Sequence, residues 1–170
     1  MSTADAATPP APSNRSMESR VGRTNQRYNT KGERLVAGVV PLSEDRNYVL
    51  LIQSTRRKTW VLPKGGWESD EDCSQAAERE AWEEAGIVVR IDYDLGDIAE
   101  TRAPKQSSKT KQKSVYRFYE ATVMREESIW PEHDKRERAW MTFTDAFAAM
   151  DGRPELQEAL CKSTINRPPS

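Results

Sequence analysis

Two cysteines, one histidine, no long apolar run and almost no net charge set the first limits on this 170-residue chain. Cys73 and Cys161 lie far apart without metal-type spacing, so no disulfide framework is expected, which fits a reducing cytosol or nucleus. Cys73 reads as a small core or surface residue rather than a reactive thiol. The lone His133 fits a structural role better than a catalytic one. No stretch is apolar enough for long enough to cross a bilayer. Residues 1–16, MSTADAATPPAPSNRS, lack the apolar core of a signal peptide. They belong to an expected disordered tail over residues 1–18. A net charge of −1 gives no global attraction to nucleic acid or to a membrane. There is no internal repeat, and the length suits one domain, residues 19–164, with residues 165–170 expected to be flexible.

Hydrophobic patterning supplies the elements. Residues 35–42 form a continuous apolar run ending at proline, the pattern of a buried strand. Residues 48–53, 60–62, 88–97, 114–123 and 140–143 read as further strands. A helix is expected from Ser69 or Cys73-Ser74 to Ala85, ended by Gly86 where a left-handed conformation is needed. Ala77, Ala81 and Ala85 recur every four residues and let that helix lie close to a sheet. Two short helices follow, one capped by Thr144 and reaching Met150, the other opened by Arg153-Pro154 and reaching Ser163. Residues 103–113 read as a Lys-rich loop. Mixed strands with flanking helices make an α/β sandwich.

The chemistry is concentrated in residues 65–87. They run G-x5-E-x7-R-E-A-x-E-E-x-G-I, with Gly65, Glu71, Arg79, Glu80, Glu83, Glu84 and Gly86 at the polar and glycine positions. Glu80 stands three residues from Glu83 and four from Glu84, so the three carboxylates share a helical face. Like charges at this spacing repel. A bound cation offsets that cost, and hard oxygen donors suit Mg²⁺ or Mn²⁺. The bland alternative is a solvated, charged helix.

The pattern matches the signature of the Nudix hydrolases, G-x5-E-x7-R-E-U-x-E-E-x-G-U, where U is a bulky aliphatic residue. Ala81, smaller than usual, is the one departure. The resemblance implies an α/β/α sandwich with a mixed sheet, and metal-dependent hydrolysis of a phosphoanhydride. It implies Glu80, Glu84 and Glu83 around the metal, with a backbone carbonyl from Gly65 or Lys64 as a further ligand. Glu83 is the expected water-positioning residue. Arg79 ties the helix to the loop before it, and Glu71 either fixes Arg79 or reaches the metal shell.

Segments outside the signature narrow the resemblance. They are residues 20–28 with 34–38, residues 54–60, Leu62-Pro63-Lys64, Trp130-Pro131-Glu132-His133 with residues 135–140, and residues 153–156. Together they are similar to the diphosphoinositol polyphosphate phosphohydrolases, in particular fungal-type members that also cleave diadenosine polyphosphates. The near-zero net charge hides cationic clusters beside strand ends and the signature. Densely anionic ligands need arginine forks and lysine point charges. Arg34, Ser54, Arg56, Arg57, Lys58, Lys64, Arg136 and Arg138 are therefore the expected substrate contacts. The lysines of the 103–113 loop are explained as well by solubility. The expectation is a monomeric Mg²⁺ enzyme of the cytoplasm or nucleus acting on a highly phosphorylated small molecule. Three alternatives stay open. One is a dinucleoside polyphosphate hydrolase without inositol preference. Another is an mRNA-cap hydrolase laying RNA along the Lys-rich loop. The third is a non-catalytic ligand sensor, a class that usually loses the signature glutamates.

Overall fold

The computed structural model describes residues 15–100 and 113–168. The expected loop, apart from Lys113, and residues 1–14 of the expected tail lie outside them. A seven-stranded mixed sheet forms the frame. Its spine is β1 (Arg34–Leu42), which runs parallel to β6 (Ser114–Glu126) along its full length. β2 (Val49–Gln53) joins β1 at Leu42 and pairs antiparallel with β3 (Trp60–Val61) and β7 (Arg138–Met141). β5 (Ile87–Ala99) forms the far edge, antiparallel to β6 and interrupted by bulges. The near-continuous burial of β1 and β2 follows from their Val/Leu/Ile content, since the sheet is covered on both faces. The expected α/β sandwich is the observed architecture.

β4 (Lys64–Gly66) is an addition. Its residues were expected to form only a turn, yet they pair antiparallel with the first half of β1. Glycines carry little strand preference, and the exposed ladder of β1 imposes the pairing.

Helix α1 (Cys73–Ala85) packs on β1, β4 and β5. Its first turn is tied by Asp72 N donating to Gln75 Oε1 (2.8 Å). Ala76, Ala77, Ala81 and Ala85 are fully buried, so the small residue at 81 serves close packing. Gly86 ends the helix at φ +67° as expected. A Cβ there would lie 2.5 Å from the Trp130 ring.

α2 (Phe143–Ala149) and α3 (Pro154–Lys162) complete the set. Thr142, not Thr144, caps α2, its side chain accepting from Asp145 N (3.3 Å). Phe143 thereby leaves the strand expected to contain it. At the C-terminus, Ile165 is buried and Asn166 donates to Arg46 O (2.8 Å). The packed chain continues past the expected boundary at Thr164. At the other end, Ser16 O accepts from Trp82 Nε1 (2.8 Å), so residues 15–18 lie against α1.

Candidate active site

The site is built where β4 runs into α1. Val39 N donates to Pro63 O (3.1 Å) and Trp67 N to Leu35 O (3.0 Å), which fixes the alternation of the β1–β4 pair. Gly65, midway between them and opposite Ala37, turns its backbone groups toward β1. Lys64 and Gly66 turn theirs toward α1. Lys64 N donates to Glu84 Oε1 (3.0 Å), and Gly66 O accepts from Arg79 Nη2 (2.9 Å). Of the two carbonyls named as ligands, that of Lys64 faces the carboxylates and that of Gly65 does not. Gly65 matters sterically instead, because a Cβ on it would collide with the Glu80 carboxylate. A Cβ on Gly66 would strike the Gln26 amide and crowd Arg34.

Arg79 is the hub. Its Nε and Nη2 grip Glu71 (2.9 and 2.7 Å), while Nη1 meets Glu80 (2.9 Å) and Glu83 (3.4 Å). Burial works against its charge, but Glu71, Glu80 and Glu83 outweigh burial and raise its pKa. Glu71 thus fixes Arg79, the first of its two expected roles. Burial also raises the pKa of Glu80, Glu83 and Glu84. Glu84 raises Glu80 further, while Arg79 opposes the shifts of Glu80 and Glu83. Arg136 and Lys64 oppose the shift of Glu84. Among the described residues no three acidic, histidine or cysteine side chains converge into a metal-sized group, and Arg79 stands between Glu80 and Glu83. The donors nevertheless fit a divalent cation. Two carboxylates that repel each other, Glu80 buried and Glu84 half-buried, and the Lys64 carbonyl on the same side of β4 are hard oxygen ligands whose repulsion a dication relieves.

A cavity of about 320 Å³ opens over these groups. Glu80, Glu83, Glu84 and Arg79 line one side, and Arg20, Gly22, Arg23, Gln26 and Arg34 the other. Glu132 closes one edge, held by Ser19 Oγ (2.7 Å) and Arg136 Nε (2.7 Å).

The expected substrate contacts divide. Arg34 lines this cavity, with Nε donating to Gln26 Oε1 (3.0 Å). Arg136 braces its rim, bound to Glu132, to Gln53 O (2.9 Å) and at 3.5 Å to Glu84. Ser54, Arg56 and Arg57 line a second cavity of about 300 Å³ with Trp60 and Arg153. Lys64 lines neither cavity. Burial pulls its pKa down to about 8, Glu84 opposes the shift, and Arg153 and Arg136 add to it. Lys58, exposed at φ +57°, lines neither cavity. Arg138 is a correction. Its Nη1 donates to Ala85 O (2.7 Å), and its guanidinium stacks 4.1 Å above Trp130, so it caps α1 rather than facing a ligand. His133 is structural as expected, its Nδ1 2.8 Å from Trp130 O. Trp67 has one face covered by Arg27 at 4.7 Å.

Arg20, Arg23, Gln26, Glu132 and Arg153 were not among the expected contacts. Their segments appeared only as points of resemblance, since polar loop residues leave no periodic signal.

Residues 32–162 match the NUDIX domain family. Nudix hydrolase 21, chloroplastic, of Arabidopsis thaliana is 37% identical over 169 residues, covering 93% of this chain and 80% of that protein. Nudix hydrolase 17, mitochondrial, of the same plant is 37% identical over 76% of this chain and 73% of its own length. Those organellar names stand apart from the cytosolic or nuclear location read from the sequence. No helix among the described residues is long and apolar enough to cross a membrane. Among solved structures, a NUDIX hydrolase from Nitrosomonas europaea superposes with a TM-score of 0.65 at 18% identity, over 76% of this chain and 87% of that one. A C. elegans Ap4A hydrolase superposes at 0.60 with 23% identity, over 75% and 93%. Family match, identity and the carboxylate helix agree, and the chain belongs to the Nudix hydrolases, enzymes that generally depend on a divalent metal, typically Mg²⁺.

Proposed function

We propose that this Nudix hydrolase cleaves phosphoanhydride bonds in diphosphoinositol polyphosphates and diadenosine polyphosphates. One observation carries the reading. Arg34 lines the first cavity beside the carboxylates, and Arg56, Arg57 and Arg153 line the second, so a ligand with several phosphates meets guanidiniums at both. Ser54, Arg56, Arg57 and Arg153 supply one hydroxyl and three guanidiniums in the second cavity, the donors that phosphates favour.

In this reading Glu80, Glu84 and the Lys64 carbonyl would hold Mg²⁺. The ion, when bound, supplies charge neutralisation on the pyrophosphate oxygens. The chain's own groups do the rest. Arg79 holds Glu80 and Glu83 in register. Glu83, in the cavity beside the Arg20 backbone N–H, orients the attacking water and takes its proton. Arg34 and Lys64 receive phosphate oxygens away from the cleaved bond.

Trp60 beside Arg56 and Arg57 also gives the second cavity an aromatic surface that a nucleobase can use, which favours the diadenosine substrates as the second reading. The test is turnover with Mg²⁺ of a diphosphoinositol pentakisphosphate, diadenosine hexaphosphate and a nucleoside diphosphate sugar at equal concentration. The reading expects the first two to exceed the third by at least about tenfold in kcat/KM, the value of one charged contact. Preference for the nucleotide sugar overturns it.

A further inference from the structure

The wall of the first cavity opposite the glutamates is not part of the signature unit. It is a strap, residues 19–27, anchored at both ends. At one end Ser19 Oγ binds Glu132, and Arg20 Nη1 binds Glu68 (2.5 Å) and Asp70 (3.0 Å). At the other, Ser69 N donates to Asn25 O (2.8 Å) and Arg27 N to Trp67 O (2.9 Å), with Arg27 Nε on Glu68 O (3.0 Å). Between the anchors Gly22, at φ +80°, lets the strap turn over the cavity and carries Arg23 to its mouth.

Four arginines line this cavity, and two are already paired with carboxylates. Arg20 holds Glu68 and Asp70, and Arg79 holds Glu71, Glu80 and Glu83. The other two differ. Arg34 meets the neutral amide of Gln26, and Arg23 makes no side-chain hydrogen bond or ion pair with a described residue. Two guanidiniums without carboxylate partners therefore face one cavity. Arg34 feels its neighbour, since Arg23 adds to the lowering of the Arg34 pKa that burial begins, against the opposing charge of Glu80. An exposed guanidinium and a half-buried one facing the same cavity repel each other, and an anion that comes between them relieves the repulsion.

We propose that Arg23 is a specificity-determining residue, which pairs with Arg34 to bind a third phosphate beyond the pyrophosphate that the glutamate side addresses. The inference rests on the polyphosphate reading above and deepens it. The strap makes the first cavity itself count phosphates, independently of the arginines of the second cavity. Arg23 is exposed and its substitution removes no contact of the fold.

The test is calorimetric binding in Mg²⁺ of bismethylene triphosphate and methylene diphosphate, whose P–C–P bridges resist hydrolysis. Wild type, Arg23→Gln and Arg23→Lys are compared. Arg23→Gln is expected to weaken the three-phosphate probe by about ten- to a hundredfold and the two-phosphate probe by less than about threefold. Arg23→Lys is expected to recover part of the loss, because a point charge replaces the fork. Equal weakening of both probes overturns the proposal, as a loosened strap would produce; so does no weakening of either. Binding is read without turnover. Inactivity toward inositol and diadenosine substrates would thus sink the functional reading while leaving this result to stand or fall separately.

Discussion

Glu84 accepts the backbone N–H of Lys64 at 3.0 Å, so the signature carboxylate of α1 and the first residue of β4 share one strand–helix contact. Charge changes on either residue are felt by the other, and Glu84 in turn repels Glu80.

Glu80→Gln and Glu84→Gln keep shape and remove charge. Each is expected to lower turnover at saturating Mg²⁺ by at least about a hundredfold, the scale of lost electrostatic stabilisation in phosphoryl transfer. Near-normal steady-state rates in both variants would remove these residues from the metal site.

The metal-free protein should show the pair's strain as a pH effect. Glu80 and Glu84 have folded pKa values raised above the ordinary 4.5. A carboxyl of this kind contributes full stability below its unfolded pKa and loses it as pH rises through the folded value. The Tm advantage of Glu84→Gln over wild type is therefore expected to be small near about pH 5 and to grow toward about pH 8. Addition of Mg²⁺ should shrink it at the higher pH. An advantage that declines with pH contradicts the assignment.

Lys64 titrates near 8, so its charge is present below that pH and fades above it. Affinity for polyphosphate ligands should weaken as pH climbs through about 8, and Lys64→Arg should move that loss to higher pH. Lys64→Met and Arg56→Met are each expected to cut selectivity for an inositol pyrophosphate over a nucleoside diphosphate sugar by about ten- to a hundredfold, less at high salt. Identical kinetic losses on both substrates would assign these cations to the pyrophosphate site alone.

Arg138→Ala tests the correction. Losing the bond to Ala85 O and the stack on Trp130 should cost about 1–3 kcal/mol of unfolding free energy. KM for polyphosphates should hold within about twofold, far short of the loss expected for a direct phosphate contact. A large KM change with unaltered stability would return Arg138 to the substrate.

The sequence is most legible where local rules govern. Alanines four apart, the glutamate spacing and Gly86 announce α1 and its end, because helix period and a left-handed cap are written in adjacent residues. It misleads where tertiary context decides. β4 consists of Lys64, Gly65 and Gly66, and only the ladder of β1 makes it a strand. Thr142 and Thr144 are equally good caps in composition, and the start of α2 follows from where β7 leaves β2. Arg138 looks like Arg136 in sequence, yet one lies under the open carbonyls of α1 and the other at the cavity rim. The strap was invisible to periodicity because its bonds run to residues about forty positions away.

The strap also shifts where the packed chain begins. The family match begins at residue 32, after the last residue of the strap. A fragment trimmed to residues 32–162 keeps the signature glutamates and the sheet's central strands. It loses Arg20, Arg23 and Gln26 from the cavity, and at the other end the burial of Ile165. Its active centre is a trough missing one bank. The packed unit is thus larger than the recognisable one, with its limits set by contacts rather than by motif.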